Sequence, residues 1–82
     1  MTLKENFILN SNNDNTITIF DLIDEQFYSF NEVATIIFNN IEKEESEIIE
    51  IIGTFFEISH KDIYKEVQSK KKYFLEFFFE KK

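Results

Sequence analysis

Sixteen acidic residues against nine basic ones leave this 82-residue chain at a net charge of -7. That balance argues against nucleic acid as the main partner, because phosphate binding needs clustered lysine and arginine. The absence of cysteine removes disulfides and thiolate metal sites, and the length confines the chain to one domain, residues 1–82. Stability must therefore come from apolar burial, to which 11 Phe and a hydrophobic content of 43% contribute. Each buried Phe, Ile or Leu is worth about 1.5–3 kcal/mol, against about 1.5 kcal/mol of entropy per ordered residue. The balance is narrow and leaves room for stabilisation by a partner. No apolar run approaches the ~20 residues of a bilayer span, and Met1-Thr2-Leu3-Lys4-Glu5 is too polar for a signal peptide. A cytoplasmic protein without membrane contact is expected.

Asn6 to Asn10 alternates as a short strand, with Phe7 and Leu9 on one face and Ile8 on the other. Ser11 to Asn15 is a cluster of turn residues. A second strand follows from Thr16 to Ile23, with Ile17, Ile19 and Ile23 on one face. Phe20 and Leu22 lie on the other face and imply that it too is partly covered. Asp24-Glu25-Gln26 turns the chain into a third strand, Phe27 to Phe30. Links this short predict an antiparallel meander with its last strand at an open edge. Everything after that strand has helical spacing. Asn31 is an N-cap residue, and Val33, Ala34, Ile37, Phe38 and Ile41 form the stripe of a helix from about Asn31 to Ile41. Glu42-Lys43-Glu44-Glu45 ends it, and a second helix from about Ser46 to Phe56 presents Ile48, Ile51, Ile52 and Phe55. Gly53 inside it costs about 1 kcal/mol relative to alanine, for which close packing is the expected reason. Ser59-His60-Lys61-Asp62 is a capping box, so a third helix starts there and runs to about Phe79. The expected class is α+β: a three-stranded antiparallel N-terminal sheet followed by three helices, winged helix-turn-helix-like.

The stripe of the third helix is Ile63, Val67, Phe74 and Phe78, broken by Lys70 and Lys71. Those lysines read as a solvated turn, as a shift of register in which Tyr73, Phe74 and Leu75 take over the stripe, or as the rim of a wet groove beside the open strand. The last would draw an acidic peptide through salt-dependent attraction. The C-terminal segment, residues 67–82, is locally basic, with five lysines against two glutamates. The edge strand itself reads either as a short, blunted edge or as a site for β-augmentation. His60, the only histidine, has no acid–base partner at a useful spacing. The Glu42 to Glu50 run lacks the spacing and glycine of a calcium loop. No catalytic residue, metal site or cofactor site is expected. Phe77-Phe78-Phe79 cannot all face one core from one helix, since successive residues sit about 100° apart. One or two must be exposed or covered by a partner, which points to a protein-binding or homodimer surface.

Phe30-Asn31-Glu32-Val33-Ala34 with Ile37-Phe38 resembles the Leu-Asn-Glu-x-Ala-x-x-Ile-Trp segment of PqqD-like proteins. These are the recognition domains for ribosomally made precursor peptides. Phe30 stands where the family has Leu and Phe38 where it has Trp, and the order of a hairpin before and helices after extends the likeness to residues 5–78. The resemblance implies a non-enzymatic, winged-helix-like domain. It would bind the leader segment of a precursor peptide and present it to a separate maturation enzyme, often a radical-SAM enzyme. It also implies that the leader pairs with the third strand and packs on the third helix. The implicated residues are then Phe27, Tyr28, Ser29, Ile63, Val67, Lys70, Lys71 and Phe74. Lys70 and Lys71 depart from the family, which has apolar residues there. Two other readings compete, besides a general protein-interaction module. A winged-helix regulator would use Lys65, Lys70, Lys71 and Lys72 on the last helix. An acyl-carrier-type protein would use Ser46, although Glu45-Ser46-Glu47 replaces the usual Asp-Ser-Leu.

Overall fold

The first third of the chain pairs as a meander and the remainder packs as three helices against one of its faces. The computed structural model describes residues 1–81. Its elements are β1 (Phe7–Ser11), β2 (Ile17–Asp21), β3 (Gln26–Ser29), α1 (Glu32–Asn39), α2 (Glu45–Phe55) and α3 (His60–Phe77). β2 is central and antiparallel to both neighbours. Ile8 pairs with Phe20 and Phe20 with Phe27, while Ile19 lies between Leu9 and Tyr28.

Local chemistry explains the turns and caps. Asn12 Nδ2 donates to the hydroxyls of Thr16 (3.1 Å) and Thr18 (3.0 Å), closing the first hairpin. Asn15 there takes a left-handed backbone, φ 66, which asparagine tolerates. Glu25 does the same in the second turn, φ 54, without that excuse. The Asn31 side chain accepts from the Ala34 amide at 2.8 Å and starts α1. Ser59 caps α3 by accepting from the Asp62 amide at 3.2 Å.

The core joins Phe7, Ile17 and Ile19 of the sheet to α1 (Ala34, Ile37, Phe38), α2 (Ile48, Ile49, Ile52) and α3 (Ile63, Val67, Phe74). Buried Thr35 ties sheet to helix, its hydroxyl accepting from the Ile17 amide at 3.2 Å. Phe78 is 1% exposed. Its ring lies 5.0–5.9 Å from those of Phe7, Tyr28, Phe30, Phe38 and Phe74. Sheet and helices meet on that ring.

Several expectations are corrected. Leu9, 43% exposed, does not share the burial of Phe7, because the core covers Ile17, Ile19 and Asp21 along β2 but reaches β1 only at Phe7. Ile23 is 76% exposed. β2 stops at Asp21, whose buried carboxylate accepts from Asn6 Nδ2 (3.0 Å) and the Ile23 amide (2.9 Å) and turns the chain away. On the second face of the sheet Phe20 is half-buried against the Phe27 ring at 4.6 Å, as expected, while Leu22 is exposed. α2 buries Ile49 and exposes Phe55, so its stripe is rotated from the expected one. A Cβ on Gly53 would meet only His60 Nε2 at 3.8 Å, so close packing is not why glycine stands there. Phe77, Phe78 and Phe79 all find places: the helix ends at Phe77, Phe79 bridges to Leu3, and Phe78 and Phe79 are buried while Phe77 is half-buried. This segment therefore offers no exposed aromatic patch for a partner. Among the described residues no helix is long and apolar enough to cross a membrane.

Candidate functional site

The free side of β3 follows from hydrogen-bond parity. In an antiparallel ladder, pairs that exchange hydrogen bonds alternate with pairs that do not. The Phe30 amide donates to the Ile17 carbonyl at 3.1 Å, one step beyond the Thr18–Ser29 pair. Tyr28 and Gln26, two and four residues back, therefore turn their amides and carbonyls toward β2. Those of Phe27 and Ser29 point outward from the sheet. On the β1 side the Leu22 amide donates to the Asn6 carbonyl (2.8 Å) and the Asn12 amide to that of Thr16 (2.8 Å). Even-numbered β2 residues thus serve β1 and odd-numbered ones serve β3, which agrees.

Beside this edge runs a cleft of about 350 Å³ between β3 and the last turns of α3. Its strand side is Phe27 to Asn31, and its helix side is Lys70, Tyr73, Phe74 and Phe78, with Ala34 at the end. Tyr28 faces the helices, edge-on to Phe77 (5.4 Å) and Phe78 (5.6 Å). Phe30 lies 5.1 Å from Phe74. Tyr73 stacks on Phe77 at 5.3 Å. Burial first, then the negative charge of Asp21, pushes the Tyr28 hydroxyl above the ordinary tyrosine range. Lys70 is the single charged residue of the lining. The arrangement offers main-chain donors and acceptors along one wall, aromatic surface along the other, and one ammonium group at the rim. It holds no paired acid and base for catalysis. Among the described residues no cluster of three His, Cys, Asp or Glu could hold a metal.

The structure divides the residues singled out from the sequence. Phe27, Tyr28, Ser29, Lys70 and Phe74 border this cleft. Ile63 and Val67 are buried in the core and line no part of it. Lys71 reaches the other way, its Nζ donating to the Lys43 carbonyl at 2.6 Å in the α1–α2 connection. Helical geometry is the reason. At 100° per residue, Lys70 falls on one flank of the Ile63–Val67–Phe74–Phe78 stripe and Lys71 on the other. The same geometry puts Tyr73, read from the sequence only as a candidate core residue of a shifted stripe, next to Lys70 at i+3 on the cleft; that spacing is the signal that could have placed it there.

No protein-family model matches the chain, and no curated protein sequence matches it. Two solved structures share its architecture. TbiB1 in complex with the TbiA(beta) leader peptide superposes with a TM-score of 0.71 at 13% identity, covering 95% of this chain and 94% of that one. A lasso peptide synthetase B1 complexed with the leader peptide gives a TM-score of 0.71 at 10% identity, covering 90% and 88%. At such identities the likeness establishes the fold: the expected α+β arrangement of three antiparallel strands followed by three helices.

Proposed function

We propose that this chain is a non-catalytic, PqqD-like recognition domain. It captures the leader segment of a ribosomally made precursor peptide by strand addition to β3 and holds it for a separate modifying enzyme. The observation that carries the reading is the outward main chain of Phe27 and Ser29 beside an aromatic cleft. An extended peptide exchanging hydrogen bonds with both residues gains four, and every second side chain enters the cleft toward Tyr28, Tyr73 and Phe74. Lys70 at the rim favours an acidic leader, and raises the association rate more than the affinity. Holding the leader raises the effective concentration of the attached core peptide at the partner's active site. Support comes also from the two proteins of the same fold, each bound to a leader peptide. The winged-helix reading loses ground because Lys70 is half-buried at the cleft and Lys71 is held by Lys43, which breaks the basic face that DNA would need.

Titration of the isotope-labelled protein with precursor-like peptides encoded beside its gene tests the proposal. Amide shifts concentrated at Phe27 to Phe30 and Lys70 to Phe74 are expected; no shift with any such peptide refutes it. For an acidic leader, Lys70→Glu weakens binding roughly 2–5-fold and flattens its salt dependence. Lys71→Glu changes neither, and equal effects of the two would contradict the division of the lysines.

A further inference from the structure

The outer face of the sheet, away from the helices, is arranged in two rows that end at the open edge. Ile8, Phe20 and Phe27 lie in a row across three strands, each next to the one on the adjacent strand, and the rings of Phe20 and Phe27 lie 4.6 Å apart. The row is uncovered: Ile8 is 51% and Phe27 70% exposed. Beside it runs a polar row, Asn10, Thr18 and Ser29, related by the same register. Alternation along β3 puts Phe27 and Ser29 on this face and Tyr28, between them, on the cleft face. Phe27 and Ser29 are also the two residues with outward hydrogen-bonding groups.

We infer that the added peptide is read on both faces of the sheet, and that its outer face carries a two-position code continuing these rows. The inference rests on strand addition at β3. The residue opposite Phe27 is aromatic or branched apolar, because it extends an exposed aromatic row and covers the ring at its end. The residue opposite Ser29 is Ser, Thr or Asn, because an apolar side chain there would face the polar row. The residue between them enters the cleft. In antiparallel addition the peptide therefore reads, from its N-terminus, small polar, cleft residue, aromatic; in parallel addition the order reverses. The substrate class is thus a leader with a hydroxyl or amide side chain two positions from an aromatic or branched apolar one.

Selection of a displayed library of random eight-residue peptides tests this, using the wild-type protein and Phe27→Thr. Threonine keeps strand propensity at an exposed site, so the variant folds. Wild type should enrich the spaced pair. Phe27→Thr should lose the apolar preference alone and keep the small polar one. A selected peptide should bind Phe27→Thr about 3–10-fold more weakly, and its variant with alanine at the apolar position should bind both proteins alike. Enriched peptides without the spaced pair, or with a pair that Phe27→Thr leaves intact, overturn the two-faced code while strand addition stands. Failure to enrich any peptide defeats both.

Discussion

Replacing Ser29 by proline removes one outward amide and nothing that the sheet uses. Parity assigns the Ser29 N–H to the free side of β3, and the neighbouring Phe30 amide, bonded to Ile17 at 3.1 Å, keeps its partner. Proline is tolerated on an edge strand when the lost N–H faces solvent; it asks Tyr28 to remain extended, as it is, and position 29 to take a φ of about -65°. The folded domain should therefore melt within a few degrees of wild type, since 1 kcal/mol moves Tm by about 4–8 °C at this size. Binding should suffer far more. A peptide carbonyl placed against the proline ring loses its donor and stays desolvated, which costs about 1–3 kcal/mol. At 1.4 kcal/mol per tenfold, that is roughly a 5- to 150-fold rise in Kd. Calorimetric titration with a leader peptide, alongside a thermal melt, measures both quantities. Unchanged Kd in a folded Ser29→Pro protein would show that the peptide does not pair with β3. Loss of folding would show that β2 uses the Ser29 amide or that the strand cannot accommodate proline's fixed φ.

Glycine stands where the chain has no need of it and is missing where the backbone asks for it. Gly53→Ala, at an exposed position of α2, should stabilise by about 0.5–1 kcal/mol, and Glu25→Gly at φ 54 by up to about 1 kcal/mol; chemical denaturation of each variant checks this, and a loss of stability in either contradicts the backbone account. Phe78→Ala removes the ring shared by sheet and helices and should cost about 3–5 kcal/mol. Against a total of ~5–15 kcal/mol, that brings the domain near unfolding, and a urea midpoint shift worth under about 1 kcal/mol would count against the junction. Asp21 has its carboxyl held below the usual aspartate range, chiefly by the Asn6 side chain and further by the Ile23 and Asp24 amides. A depressed folded-state value means that its stabilisation is present at neutral pH and is lost as pH falls below about 4. Melts between pH 7 and 2 should show a smaller acid-side loss for Asn6→Ala than for wild type, and identical profiles would exclude this linkage.

The elements were legible in the sequence wherever their causes are local. Asn31 and Ser59 each accept from an amide three residues on, so the starts of α1 and α3 can be read from a few adjacent letters. The meander is written in the Asn- and Asp-rich turn and in links too short for any crossover. Open-edge placement of β3 follows from the same shortness. Burial depends instead on which distant groups arrive, and there the sequence was silent or misleading. Leu9 and Phe7 share a face of the hairpin, yet only Phe7 meets Phe77 and Phe78. Ile49 turns inward fully and Ile51 only partly, as the packing of α2 against both α1 and α3 requires. Lys70 and Lys71 are adjacent letters with equal charge. One faces the cleft and the other the Lys43 carbonyl, 28 residues away in the chain. Adjacent helical positions differ by about 100°, and only the packed positions of α1 and β3 decide what each of those directions meets.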